Sequence, residues 1–200
     1  MKTKFLHIAT ALLFVGFTSS CSDFLDRYPL DELSDSSFWK TENDAMMAVT
    51  DIYGCLPTWD QDEDINSDNA VHGIKWAAGN ISKGVYDPMD QSWAGSYTPI
   101  RQCNLVLEKV KDIEMSDESR KKIEGQAYFF RAFVYFNLIR SFGDVPYIDK
   151  PLNLTDVEDI TRTPREEVYA KVMADFDKAI EYLPEEWDAA NTPRVTKGAA

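Results

Sequence analysis

Histidine and cysteine are scarce in this chain, and their scarcity removes several kinds of chemistry. The 200 residues hold two histidines and three cysteines. There is no C-x-x-C and no Cys/His cluster, so the sequence offers no structural zinc site. G-x-S-x-G, H-E-x-x-H, G-x-G-x-x-G and P-loop patterns are all missing. Nothing therefore marks a serine hydrolase, a zinc peptidase or a nucleotide-dependent enzyme. Basic residues are also short: 21 Lys and Arg stand against 34 Asp and Glu, a net charge of -13. That balance excludes nucleic acid as a partner and excludes electrostatic docking to anionic lipid. No apolar run reaches the length of a relaxed membrane span; the best is Phe5–Phe17.

That short run belongs to a leader. Lys2 and Lys4 precede it, and the small residues Thr18, Ser19 and Ser20 follow, ending at Cys21. Residues 1–20 read as a lipoprotein signal peptide, with Cys21 as the lipidated new N-terminus. Several acyl chains on one residue anchor stably, where a single chain binds marginally. Such signals usually carry Leu three residues before the Cys, and here Thr18 stands there. The alternative is an ordinary secretory signal cut near Ser20, with Cys21 a free thiol. Without Lys2 and Lys4, 19 basic residues face 34 acidic ones, a net charge of -15. Two further thiols remain, Cys55 and Cys103. An oxidising compartment permits a bridge between them; two buried free thiols on separate helices are the other reading.

The remaining 180 residues can bury one core, so a single domain is expected. The arm after Cys21 is irregular but rich in large apolar groups, from Phe24 to Trp39, and is expected to wrap the body. Thr41 or Asn43 can cap a helix through Met46, Met47, Val49, Ile52 and Tyr53, ending near Gly54 and Pro57. Residues 57–97 have weak periodicity and many turn formers, so a long loop region is expected there. A second helix is expected from about Pro99 to Ile113, with Ile100, Cys103, Leu107 and Val110 at helical steps. Ser116 can cap a third, running to Phe142. Its apolar residues, from Phe129 through Phe142, occupy nearly every face, so it must sit inside a larger assembly. Gly143 is placed to close it in a left-handed conformation, and Pro146 prevents its restart. Thr163-Pro164-Arg165-Glu166 reads as a capping box opening a fourth helix. Val168, Val172, Phe176, Ile180 and Leu183 follow as its apolar stripe. Thr196 is a candidate cap for one more turn. Stopping mid-element, the chain reads as truncated or completed by a partner. The fold class is all-α, with tetratricopeptide-like, solenoid-like helical hairpins and long irregular loops. The connector at 143–162 exceeds what a strict 34-residue repeat allows.

Several of these segments together resemble the N-terminal part of the SusD/RagB family, surface nutrient-binding lipoproteins of Bacteroidetes. The resemblance rests first on Cys21 followed by Asp23-Phe24-Leu25-Asp26, and on Trp93-x-x-x-Tyr97-x-x-Ile100-x-x-Cys103-Asn104. It continues through Gly125-Gln126-Ala127-x-Phe129-x-Arg131-Ala132 and Tyr135-Phe136-x-Leu138-x-Arg140-x-Phe142-Gly143-x-Val145-Pro146. Thr163-Pro164 and Arg194-Val195-Thr196-Lys197-Gly198-Ala199-Ala200 complete it. The resemblance implies that residues 21–200 form a SusD-like N-terminal helical domain, incomplete at its C-terminus. It implies a binding protein, without cofactor, that takes up oligosaccharide or another nutrient. It implies a SusC-like TonB-dependent transporter as partner and a lipid anchor in the outer membrane, at the cell surface. Family members are considerably longer. A shorter chain could instead dock the transporter without binding ligand.

Sugars are recognised by flat aromatic faces against ring C–H groups, with polar side chains on the hydroxyls. Residues 57–97 have that mixture. Trp76 and Asn80 are the leading ligand candidates; Trp59 and Tyr86 follow. The alternative is that these aromatics pack the loop onto the body. Trp93 and Tyr97, at helical spacing beside Ile100, are read as core. The alternation Asp60, Asp62, Asp64, Asn66, Asp68 suggests calcium. However, Ile65 stands where an EF-hand loop needs Gly and Val71 where it needs Glu, so a solvated acidic loop is expected and no metal is assigned. Arg131 and Arg140 are expected to be structural, stems buried and heads bonded locally. Glycoside hydrolysis needs two placed carboxylates, and nothing marks such a pair, so the chain is not read as an enzyme.

Overall fold

Thr41 opens the first helix with a complete capping box, its side chain accepting from the Asp44 N–H while Asp44 accepts from the Thr41 N–H. In this computed structural model, residues 38–56, 93–153, 156 and 160–200 are described. Those from Trp39 onward belong to one body. Helix α1 is Glu42–Ile52, α2 Trp93–Lys109, α3 Asp117–Phe142 and α4 Arg165–Tyr182. Single 3-10 turns follow α1 and α2. The fold is all-α and tetratricopeptide-like, as the periodicity implies. Among the described residues the one β-type contact is an antiparallel bridge between Val145 and Thr163.

α3 is the centre of the body. Ser116 caps it, accepting from the Ser119 N–H at 3.0 Å, and Asp117 and Glu118 in its first turn favour the helix dipole. It packs most extensively on α4, then on α2 and α1. Its apolar surface is nearly continuous, but Phe136 and Arg140 lie on a narrow solvent stripe; Phe136 is 43% exposed. At Gly125 the end of α4 packs close: a Cβ there would lie 3.0 Å from the Tyr182 Cβ and 3.1 Å from the Cγ of the following Leu183. The helix ends at Gly143, whose φ of +69° needs glycine and whose N–H donates to the Ile139 carbonyl at 3.1 Å. Its ψ of -115° departs from the expected left-handed helical conformation.

The core forms two clusters along α3. One joins α1, α2 and α3 around Val49, Ile52, Val106, Ile123 and Phe130. The other joins α2, α3 and α4 around Ile100, Tyr135, Leu138, Val168 and Val172. The segment after α4 closes over the first cluster. Trp187 donates its indole N–H to the Val195 carbonyl at 2.7 Å. Val195 N–H donates to the Tyr53 hydroxyl at 2.9 Å, and Arg194 donates to Thr50 Oγ1 and Gln126 Oε1. Fully buried Gln126 also accepts from the Tyr53 hydroxyl. Thr196 precedes a 3-10 turn, Lys197–Ala199, without a side-chain cap bond.

Three expectations are corrected. α2 starts at Trp93, not near Pro99, and Pro99 lies inside it; residues 93–97 are therefore helical. Tertiary contacts hold this early turn: the Trp93 ring meets Phe142 edge-on at 4.8 Å, and the Tyr97 hydroxyl donates to the Pro146 carbonyl. Second, Thr163-Pro164-Arg165-Glu166 is not a capping box. Pro164 is the cap residue and contributes no side-chain bond. Thr163 is held in the bridge to Val145, and Asp144 Oδ1 accepts from the Arg165 N–H at 2.9 Å instead. Third, Ile180 is 37% exposed, and the buried face of α4 runs through Val168, Val172, Asp175 and Ala179. Because the cap of α4 comes from Asp144, Asp144→Ala is expected to cost about 1 kcal/mol of stability, the usual loss for a missing N-cap. Chemical denaturation checks this through the shift of the midpoint.

Candidate functional site

Lipidation candidate Cys21 and ligand candidates Trp59, Trp76, Asn80 and Tyr86 lie outside the described residues, as does the acidic run 60–68. The described body does carry the two ends of the segment that holds the aromatic candidates. The chain enters it after Leu56 and leaves it at Trp93. Between those ends lies a cleft of about 580 Å³. α1 and its following turn contribute Asp51, Gly54 and Cys55. α2 contributes Ser96, Thr98 and Gln102, and α3 contributes Phe133 and Asn137. Gln102 Nε2 donates to Asp51 Oδ2 across the cleft. Asn137 Nδ2 donates to the Phe133 carbonyl at 2.9 Å, which fixes the amide and turns it by its own helix. One aromatic face among amides, hydroxyls and a carboxylate can hold a polar ring with C–H faces.

Cys55 lines this cleft, whereas Cys103 is buried in the first core cluster. Cys55 and Cys103 are both free. Burial raises the pKa of each, most strongly for fully buried Cys103. Thiolate chemistry is therefore suppressed at neutral pH. Trp93 and Tyr97 are half-buried and packed on the second core cluster. Burial pushes the Tyr97 hydroxyl up to about 12, so it stays a neutral donor to Pro146.

Arg131 is the buried polar centre of the body. Its Nε and Nη2 donate to Asp175 at 2.7 Å each, and its Nη1 donates to Asn104 Oδ1 at 2.8 Å. Burial works against the guanidinium charge, but the Asp175 bonds and charge outweigh it and raise its pKa. The structural reading of Arg131 holds; Arg140 is exposed. The partner Asp175 was legible only indirectly. It occupies a core position of the α4 stripe, and a carboxylate there requires a buried cation. Among the described residues no group of three His, Cys, Asp or Glu could hold a metal, and no helix is long and apolar enough to cross a membrane.

Successive helices packed side by side, with a cleft lined by α1, its following turn, α2 and α3, define a tetratricopeptide-like scaffold. The chain belongs to the SusD-like family, described as starch-binding and associating with the outer membrane; the family model matches residues 23–200. It is 29% identical to SusD-like protein P2 of Formosa agariphila, covering all of this chain and 41% of that protein. A SusD-like protein of Bacteroides ovatus is 26% identical, again over all of this chain and 38% of its own length. This chain thus spans about two fifths of these relatives. Among solved structures it is similar to a SusD-like protein from Bacteroides fragilis, with a TM-score of 0.73 and 25% identity over 86% of this chain and 36% of that one. A laminarin-binding SusD-like protein shares the fold, with a TM-score of 0.71 and 22% identity over 80% of this chain and 38% of that one.

Proposed function

We propose that this chain is the glycan-recognising helical part of an outer-membrane lipoprotein that captures oligosaccharide and passes it to a TonB-dependent transporter. Residues 1–20 serve as its signal peptide, and Cys21 carries the lipid anchor that holds it at the cell surface. The single observation that supports this most is the 580 Å³ cleft framed by the residues on either side of the aromatic segment 57–92. In this reading the body contributes Phe133, Asn137, Gln102 and Asp51, and the segment contributes Trp76 and Asn80, followed by Trp59 and Tyr86 as lesser candidates. Family membership and a relative described as laminarin-binding support a glycan as the ligand. The role is binding, not catalysis. Affinity electrophoresis of the full chain through gels containing laminarin, starch or other glycans tests it. Retardation on at least one glycan is expected, with Phe133→Ala weakening it by about tenfold, or about 1.4 kcal/mol. No retardation on any glycan, with helical circular dichroism intact, overturns it.

A second reading has one observation in its favour. Tyr169, Met173 and Ile180 are exposed on α4 at helical spacing, with half-buried Phe176 between them. Such a stripe fits a protein surface rather than water. A chain that co-purifies with the transporter and shifts on no glycan would be a docking module only.

A further inference from the structure

The side chains lining the cleft are arranged to accept hydrogen bonds more than to donate them. Asp51 Oδ2 accepts from Gln102 Nε2, while Asp51 Oδ1 has no partner among the described residues. Gln102 thereby commits an amide N–H to the protein, and its own carbonyl oxygen stays unbonded among the described residues. Asn137 repeats the pattern on α3, giving Nδ2 to the Phe133 carbonyl and keeping Oδ1. Three side-chain oxygens are thus left to accept from a ligand. Sugar hydroxyls donate to such oxygens, whereas an ionised carboxylate or sulfate only accepts. Among the described residues no Lys, Arg or His lines the cleft. Pro99, Phe133 and Val134 supply apolar wall, against which a charge without a partner loses hydration and gains nothing in exchange.

Charge acts in the same direction. Asp51 carries the one charge in the described lining. Residues 57–92, joined to the body on either side of the cleft, add seven Asp and Glu against Lys75 and Lys83, a net charge of -5. Arg101 and Arg140 are exposed on α2 and α3, outside the lining. Arg194, which reaches Thr50 beside Asp51, is committed to Thr50, Gln126 and Asn191. With Asp51, residues 57–92 and all three arginines counted, the balance is still -3. We propose that the cleft selects uncharged oligosaccharide, and that Asp51 is the residue that excludes glycans bearing carboxylate or sulfate. This rests on the reading of the cleft as the glycan site. Asp51 Oδ1 accepts a hydroxyl of a neutral sugar in a charge-assisted bond. A uronate or sulfate ester in that place sets two anions side by side with no cation between them.

Affinity electrophoresis of the full chain through laminarin and starch tests the proposal, each glycan run beside the same glycan with its primary hydroxyls oxidised to carboxylates. The neutral form is expected to bind at least about tenfold more tightly than its oxidised form. Added salt should narrow that gap, because screening weakens repulsion between like charges; this series needs no variant. Asp51→Asn removes the charge and keeps a side-chain oxygen. It should raise the ratio of oxidised to neutral binding by about tenfold, with helical circular dichroism retained. An oxidised glycan that binds as tightly as its parent overturns the selectivity and leaves glycan binding standing. So does a gap that widens with salt, or a ratio that Asp51→Asn does not move. Retardation by no glycan in either form overturns the binding reading and the selectivity together.

Discussion

Asp175→Ala is expected to destabilise the fold by about 3–5 kcal/mol, the loss typical when one partner of a buried ion pair is removed. Asp175 is 6% exposed and accepts two hydrogen bonds from Arg131 at 2.7 Å. Truncation leaves the guanidinium charged, because arginine does not give up its proton, and leaves it buried with Asn104 as its remaining partner. A domain of this size usually has only about 5–15 kcal/mol in total. At roughly 2–4 °C per kcal/mol, the melting temperature should fall by about 6–20 °C. Replacing both partners, Arg131→Leu with Asp175→Leu, should recover much of the loss, since an apolar pair of similar volume costs no desolvation. Thermal melts followed by circular dichroism read both variants. A shift below about 2 °C for Asp175→Ala would mean that the pair is solvated in solution.

Phe130→Ala should have a comparable effect, about 3–5 kcal/mol, from the lost transfer free energy and the cavity left behind. Phe130 is fully buried and is, with Tyr135, among the largest such side chains. Its ring meets Tyr53 edge-on at 4.5 Å and Phe129 at 5.4 Å, so it ties α1 to α3 at the centre of the first cluster. Phe136 on the same helix provides the contrast. It is 43% exposed, and Phe136→Ala should change stability by no more than about 0.5 kcal/mol. Denaturant titration of the two variants side by side separates them. Equal losses would mean that the solvent stripe along α3 is covered in solution.

That contrast shows where sequence reasoning reaches its range. The apolar run of α3 requires a surrounding body, and the body is there; but a run of aromatics does not say which one points to water. Local signals worked where the partner is local. Thr41 and Ser116 each cap a helix by accepting from the N–H three residues on. Thr163 failed as a cap because the bridge to Val145 claims its backbone, and the cap arrives from Asp144, far back in the chain. Trp93 failed as a loop residue for the same reason: Phe142 holds its ring, and no window around residue 93 contains Phe142. Arg131 was legible as structural, whereas Asp175 was legible only indirectly, as a carboxylate among the apolar core positions of α4. Of the candidate site, composition points to the aromatic segment. The cleft between its two ends comes from three helices and has no sequence signature of its own.

The most direct test of the account is a hydrogen-exchange footprint of the full chain with and without a glycan that retards it. The account predicts slowed exchange at the amides of Gly95–Gln102 and Phe133–Asn137, together with amides in 57–92, and no change along the outer face of α4. Protection confined to Tyr169–Ile180, or none around the cleft while the glycan is bound, would contradict it.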